Sequence, residues 1–152
     1  MENAFIDVHI TPIGIIHSPF KEKTDTPIQP TRSQAAGQVE VYPEYSDGLQ
    51  DIDGFSHIIL LYFFHQSCGY SLLVKPFLDD KEHGLFSTRY PCRPNPLGLS
   101  IVRLVARRKN MLEIEGVDTL DGTPLLDIKP YIPEFDVPMG VRNGWYAGRS
   151  KK

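Results

Sequence analysis

The sequence predicts an all-β domain, a small barrel or a sandwich. Short runs rich in β-branched and aromatic residues recur along the chain, and glycine, proline and asparagine separate them. No long amphipathic helix and no internal repeat is present. At 152 residues the chain is read as one domain, long enough for a full core, with its body over about 8–137 and a tail over 138–152. The formal net charge of −3 excludes a generic polyanion binder. Any nucleic-acid contact then needs a local basic patch. No apolar run reaches membrane-spanning length, and the first seven residues lack the basic and apolar regions of a signal peptide. Two cysteines do not make a disulfide framework, so a cytoplasmic protein is expected.

The elements follow in order. Residues 8–17 read as a first strand, interrupted by Pro12. Residues 24–33 are a loop carrying Pro27 and Pro30. Residues 38–42 alternate as a short strand, with Val39 and Val41 on one face. Residues 43–54 hold turn and cap residues and room for one short helix. Residues 56–65 form the strongest buried strand, because Ile58 to Phe64 run without a polar break and glycines bound the run. Such a run predicts cover on both faces. Residues 72–77 are a further short strand. Residues 99–107 and 111–117 form a hairpin around Lys109-Asn110, with Leu112 and Ile114 facing in and Glu113 and Glu115 facing out. Asp121-Gly122 is a turn, residues 124–128 a last strand, and residues 130–152 a wrapping tail of little regular structure.

One stretch stands apart. Residues 89–100 read RYPCRPNPLGLS, with three prolines within six residues and Arg89, Arg93 and Asn95 among them. Proline fixes its own φ and restrains the residue before it, so such a loop loses little entropy on ordering. A stiff loop beside a strand holds polar groups at fixed spacing, although a plain strand connector has the same composition.

Other chemistries find weak support. His65 and Cys68 have a ligand-like spacing, but no second pair accompanies them, so no metal site is expected. Cys92 with His65 as base is conceivable as a nucleophilic pair, and sequence cannot show that they meet. No P-loop is present and no GxGxxG follows a strand, which removes the commonest nucleotide folds. Basic residues gather at Arg103, Arg107, Arg108 and Lys109, and again at Arg142, Arg149, Lys151 and Lys152. These read either as a solvated tip and a solubilising tail or as phosphate contacts. Lys21, Lys23 and Arg32 on the first loop are the next basic group.

Several motifs are more specific. They are IGIIHSPF at 13–20, PIQ at 27–29, GFSH at 54–57, FSTR at 86–89, RPNPLGLS at 93–100 and DGTPLLDIKPY at 121–131. On these the chain resembles the TsaA-like, or TrmO-type, tRNA N6-threonylcarbamoyladenosine methyltransferases over about residues 8–137. The resemblance implies a small single-domain β-barrel with few short helices that binds S-adenosylmethionine outside the Rossmann class. It implies a homodimer with the cofactor near the subunit interface, and methylation of N6 of the modified adenosine 3′ to the anticodon. Carried over residue by residue, the implied cofactor contacts are Pro27, Ile28, Gln29, His65, Gln66, Arg89, Leu99, Asp121, Gly122, Thr123 and Pro124. The family's first loop often carries arginine where Ile28 stands, so a backbone contact is expected there. The chain is also shorter than many members, and a C-terminal extension beyond the barrel is expected to be lacking.

The residues suit that chemistry. A sulfonium donor needs an apolar slot, backbone hydrogen bonds and an oxygen near its positive end. Leu99 and Pro27 suit the slot, and the Asp121-Gly122 turn offers backbone groups and a carboxylate. Arg89 or Arg93 can hold the donor's carboxylate at two points. Arg93 also suits a substrate phosphate, with Arg107, Arg108 and Lys109 as further substrate contacts. N6 is a weak nucleophile, must be aimed in line with the methyl, and has a proton to lose. Asp127 and Asn95 are the expected catalytic residues for that proton. Two other readings remain: an S-adenosylmethionine-binding regulator or sensor without tRNA activity, and a methyltransferase on another amine. Calorimetry with S-adenosylmethionine and mass spectrometry of tRNA nucleosides separate them.

Overall fold

A computed structural model describes residues 6–25 and 33–149. Six strands close into an antiparallel barrel in the order β1-β2-β7-β6-β3-β8. They are β1 (Gly14–His17), β2 (Ala36–Val41), β3 (His57–Phe63), β6 (Leu97–Arg108), β7 (Met111–Glu115) and β8 (Thr123–Pro130). Two further short strands, β4 (Leu73–Val74) and β5 (His83–Gly84), pair with each other outside the barrel. The one α-helical turn among the described residues is α1 (Pro133–Asp136). The fold is therefore the small all-β barrel that the turn spacing and the resemblance imply, and the sandwich alternative is closed.

Inward residues fill the barrel. Ile16, Val39, Ile58, Leu60, Val102, Leu112, Ile114 and Leu125 are buried and pack as one cluster. Closure pairs every barrel strand on both sides and leaves no open edge. The hairpin forms as expected, with Leu112 and Ile114 buried and Lys109 taking the positive φ of 56° at its tip.

Several boundaries differ from the sequence expectation. The first strand starts at Gly14 rather than residue 8, and Ile6, Val8 and Ile10 stay exposed. Residues 43–54 hold two 3₁₀ turns, Pro43–Leu49 and Ile52–Gly54, with Asp51 at φ 66° between them. A left-handed residue cannot continue a helix, which is why no single helix spans this stretch. The strand expected over 72–77 keeps only Leu73–Val74 before Pro76. The apolar run at β3 is covered on one face. Ile58, Leu60 and Tyr62 are buried, Ile59 and Leu61 are half-buried, and Phe63 is exposed. A barrel wall has one inner face, so an unbroken apolar run here leaves an apolar strip outside.

Registers set the two ends of the barrel. His17 pairs with Gln38, Ala36 with Glu115, Phe63 with Leu97, and Ile16 with Thr123. The ends of β1, β3 and β7 and the starts of β2, β6 and β8 therefore share one rim. The β6–β7 hairpin tip lies on the other.

Candidate active site

The first rim is built by segments far apart in sequence. The turn before β8 is fastened to the end of β1. Asp121 N–H donates to the Phe20 carbonyl at 2.8 Å, and Gly122 N–H donates to the Ile16 carbonyl at 2.9 Å. Gly122 has φ +80°, a conformation a side chain disfavours. The Asp121 carboxylate accepts from Ser18 N–H at 3.0 Å and pairs with Lys21. The Lys21 hydrogen bond, then the Ser18 N–H, hold its pKa below the usual carboxylate range. The turn's carboxylate and two amides thus serve the rim's own architecture. Thr123 is buried and donates to the Leu120 carbonyl at 2.6 Å, while Pro124 pairs with Ile15.

His65 and Gln66 form an exposed turn just after β3. Lys23 Nζ donates to the Gln66 carbonyl at 2.6 Å and ties that turn to the chain after β1. The proline loop lies alongside: Ser67 Oγ donates to the Pro91 carbonyl at 3.2 Å, and Phe64 N–H to the Pro96 carbonyl at 2.8 Å. Arg89 is exposed at the loop's start. Arg93 Nη1 donates to the Thr88 and Tyr90 carbonyls at 2.9 and 3.0 Å, and its guanidinium lies over the Phe86 ring. That guanidinium holds the loop's shape. Asn95 is exposed within the same loop.

Leu99 and Asp127 lie on the outer wall in one row, each paired with Leu61 of β3. Leu99 is 50% exposed, and Asp127 is ion-paired to Lys129 at 2.9 Å. The structure thus gathers His65, Gln66, Arg89, Asn95, Asp121, Gly122, Thr123 and Pro124 at one rim, with Leu99 just below it, next after Gly98 in β6. Pro27, Ile28, Gln29 and Arg32, between β1 and β2, lie outside the described residues, and so do the C-terminal Lys151 and Lys152.

Arg107, Arg108 and Lys109 are not brought to this rim. They occupy the opposite one. Arg107 donates to the Leu49 and Lys109 carbonyls, both at 2.9 Å, and Arg108 pairs with Glu113 at 3.0 Å. Trp145 stacks on His83. Cys68 and Cys92 are thiols lining one shallow cleft with Tyr70 and Lys75. Among the described residues no group of three or more histidine, cysteine or acidic side chains is placed to hold a metal.

Sequence reasoning passed over the polar lining just inside the rim. Ser100 is buried and donates to Asp118 Oδ1 at 2.7 Å. Its one hydroxyl proton is thereby used, so the buried Tyr62 hydroxyl is the donor in its 2.8 Å bond to Ser100 Oγ. Burial pushes the Asp118 carboxyl up to about 6, against the pull of the Ser100 hydrogen bond. Burial, and then the Asp118 carboxylate, raise the Tyr62 phenol well above its usual value. Ser100 falls on the inward phase of β6, between Gly98 and Val102, and that phase was a signal open to the sequence.

A closed antiparallel barrel with polar loops collected at one mouth is a small β-barrel, outside the doubly wound α/β class. The chain belongs to the tRNA-methyltransferase O family, whose N-terminal domain matches residues 15–137. A Pyrococcus abyssi protein named as a probable S-adenosyl-L-methionine-binding protein is 61% identical over 135 residues, covering 88% of this chain and 73% of the relative. The human tRNA (adenine(37)-N6)-methyltransferase is 36% identical, covering 86% of this chain and 31% of its own length. The crystal structure of TrmO from Pseudomonas aeruginosa superposes with a TM-score of 0.77 at 38% identity, covering 92% of this chain and 63% of that one. The chain thus spans less than two thirds of that solved structure and about a third of the human relative.

Proposed function

We propose that this chain is an S-adenosylmethionine-dependent methyltransferase that acts on tRNA. Its acceptor is N6 of threonylcarbamoyladenosine next to the anticodon. The observation that carries the reading is the gathering at one rim of positions 65–66, 89 and 121–124, which sequence alone scatters over sixty residues. Membership of the family and the names of its relatives support the donor and an adenine N6 of tRNA as acceptor, and the threonylcarbamoyl group rests on the motif resemblance.

The rim suits the donor. Phe64 and Leu99 offer apolar surface. Thr119 Oγ1 is buried with no hydrogen-bond partner among the described residues. When bound, S-adenosylmethionine supplies the methyl group. Arg89 holds its carboxylate, while the Asp121-Gly122 turn and the His65-Gln66 turn form the walls. Asn95 stands exposed at the mouth, where it can orient the acceptor, and Asp127 lies in the row containing Leu99. No metal takes part, and binding is expected to survive chelation.

The protein acts as a homodimer in the cytoplasm. Two apolar surfaces support pairing with a second copy. Leu97, Leu99 and Ile101 line the outer wall beside Phe63, and Phe135, Val137, Met139 and Val141 alternate, exposed, along the tail. Exposed apolar residues grouped on one wall and one tail suit a partner surface. Light scattering is expected to give twice the chain mass.

The deciding experiment incubates purified protein with S-adenosylmethionine and tRNA, then digests the tRNA and weighs its nucleosides. Threonylcarbamoyladenosine is expected to gain one methyl group. Tight donor binding with no nucleoside methylated would leave a sensor instead.

A further inference from the structure

We propose that Asp118 takes the proton lost from the acceptor nitrogen, held in place by Ser100 and Tyr62. This rests on the methyltransferase reading above and names a catalytic residue for it.

The inference starts from a hydrogen-bond chain with one direction. Tyr62 donates to Ser100 at 2.8 Å, and Ser100 donates to Asp118 at 2.7 Å. Each donor polarises the next, so the chain ends on a carboxylate whose charge it favours. Tyr62 and Ser100 are buried, while Asp118 remains partly exposed at the mouth. It alone of the three can meet a substrate.

The backbone around it is fixed. Asp118 precedes Thr119, whose carbonyl accepts from the buried Ser18 hydroxyl at 2.6 Å, and the Asp121-Gly122 turn follows. The first donor is fixed too: at Gly98 a Cβ would lie 2.1 Å from Tyr62 Cε2, so this glycine makes room for the ring. Tyr62 also feels the charge of Arg89, the residue assigned to the donor's carboxylate.

Three other carboxylates at this end are ion-paired, among them Glu115 with Arg103. Asp121 is held by Lys21 and Ser18, and Asp127 by Lys129 on the outer wall. The ionisable groups facing the chain are the Tyr62 phenol from β3 and Arg89 from the proline loop, while β6 presents the Ser100 hydroxyl. A general base works best with a pKa near the working pH. Burial moves Asp118 in that direction.

The step balances. The N6–carbon bond forms as the methyl–sulfur bond breaks, with its electron pair remaining on sulfur. The proton on the methylated nitrogen passes to the Asp118 carboxylate and from there to water.

The test compares wild type with Asp118→Asn and Ser100→Ala. Single-turnover methyl transfer to tRNA is followed from pH 5 to 8, and carboxyl NMR follows Asp118 in wild type and Ser100→Ala. Wild type is expected to show an acid limb near pH 6. In Asp118→Asn the rate should fall about 100-fold with the limb gone. Donor affinity should change less than about twofold. In Ser100→Ala the limb should move to higher pH, because the lost hydrogen bond favoured the charged carboxylate. That shift separates a catalytic chain from a merely structural one. An Asp118→Asn variant with wild-type rate and limb overturns the proposal. If wild type methylates no tRNA, the functional reading fails. NMR then still tests the chain: an Asp118 titration midpoint that rises in Ser100→Ala supports the hydrogen-bonded carboxylate, and an unmoved one overturns it.

Discussion

At the scale of single residues, two arginines in the same proline loop, Arg89 and Arg93, do different work. Arg93 is spent on the carbonyls of Thr88 and Tyr90. Arg89 is exposed at the rim and acts on Tyr62 across it. Lysine keeps a charge and loses the planar two-point contact. Arg89→Lys is therefore expected to weaken S-adenosylmethionine binding about tenfold, the loss of one charged hydrogen bond, with the fold intact. Calorimetry measures it, and unchanged affinity would remove Arg89 from the donor site. Gly98 is the second case. Alanine there drives a methyl into the Tyr62 ring, and overpacking of this kind costs about 1–3 kcal/mol. A lowered urea midpoint with unchanged slope is the expected reading.

At the scale of elements, the tail is latched to the β4–β5 pair. Trp145 stacks on His83 with ring centroids 4.6 Å apart, and its indole N–H donates to the Ser87 carbonyl at 2.7 Å. His83 and Arg149 both meet Asp79, at 2.7 and 3.3 Å. The His83 hydrogen bond, helped by the Asp80 amide and Arg149, holds the Asp79 carboxyl down at about 2. A depressed carboxylate stabilises the fold above its unfolded pKa of about 4. That contribution fades as pH falls from about 4 towards 2. Because Trp145 is the chain's single tryptophan, its emission reports the latch directly. Asp79→Ala is expected to shift that emission to longer wavelength at pH 7 while the far-UV spectrum keeps its β signature. Unaltered emission would mean that stacking alone holds the tail.

At the scale of the whole molecule, the two rims are separated by the twelve residues of β6, a path of roughly 35 Å along the strand. The basic hairpin tip therefore sits far from the rim that gathers the cofactor positions. Alanine at Arg107, Arg108 and Lys109 together is expected to leave S-adenosylmethionine affinity unchanged. Any effect on tRNA should be lower affinity with a flatter salt dependence, since phosphate contacts release counterions. Filter binding at several salt concentrations measures it. Identical slopes would leave the tRNA to Lys21, Lys23 and the first rim.

The all-β class, the β6–β7 hairpin with its Leu112/Ile114 face and the Asp121-Gly122 turn were legible in the sequence, because period-two patterning and turn chemistry are local. The family, too, was legible in the long motifs at 93–100 and 121–131. Barrel closure decided the rest. It turned the unbroken run at 58–64 into a wall with one buried face, and it sent the hairpin cations to the far rim. It also joined Tyr62, Ser100 and Asp118, which lie on three different segments, into one hydrogen-bonded chain. Such a contact depends on strand order and register across the sheet, and these arise only when the last strand meets the first.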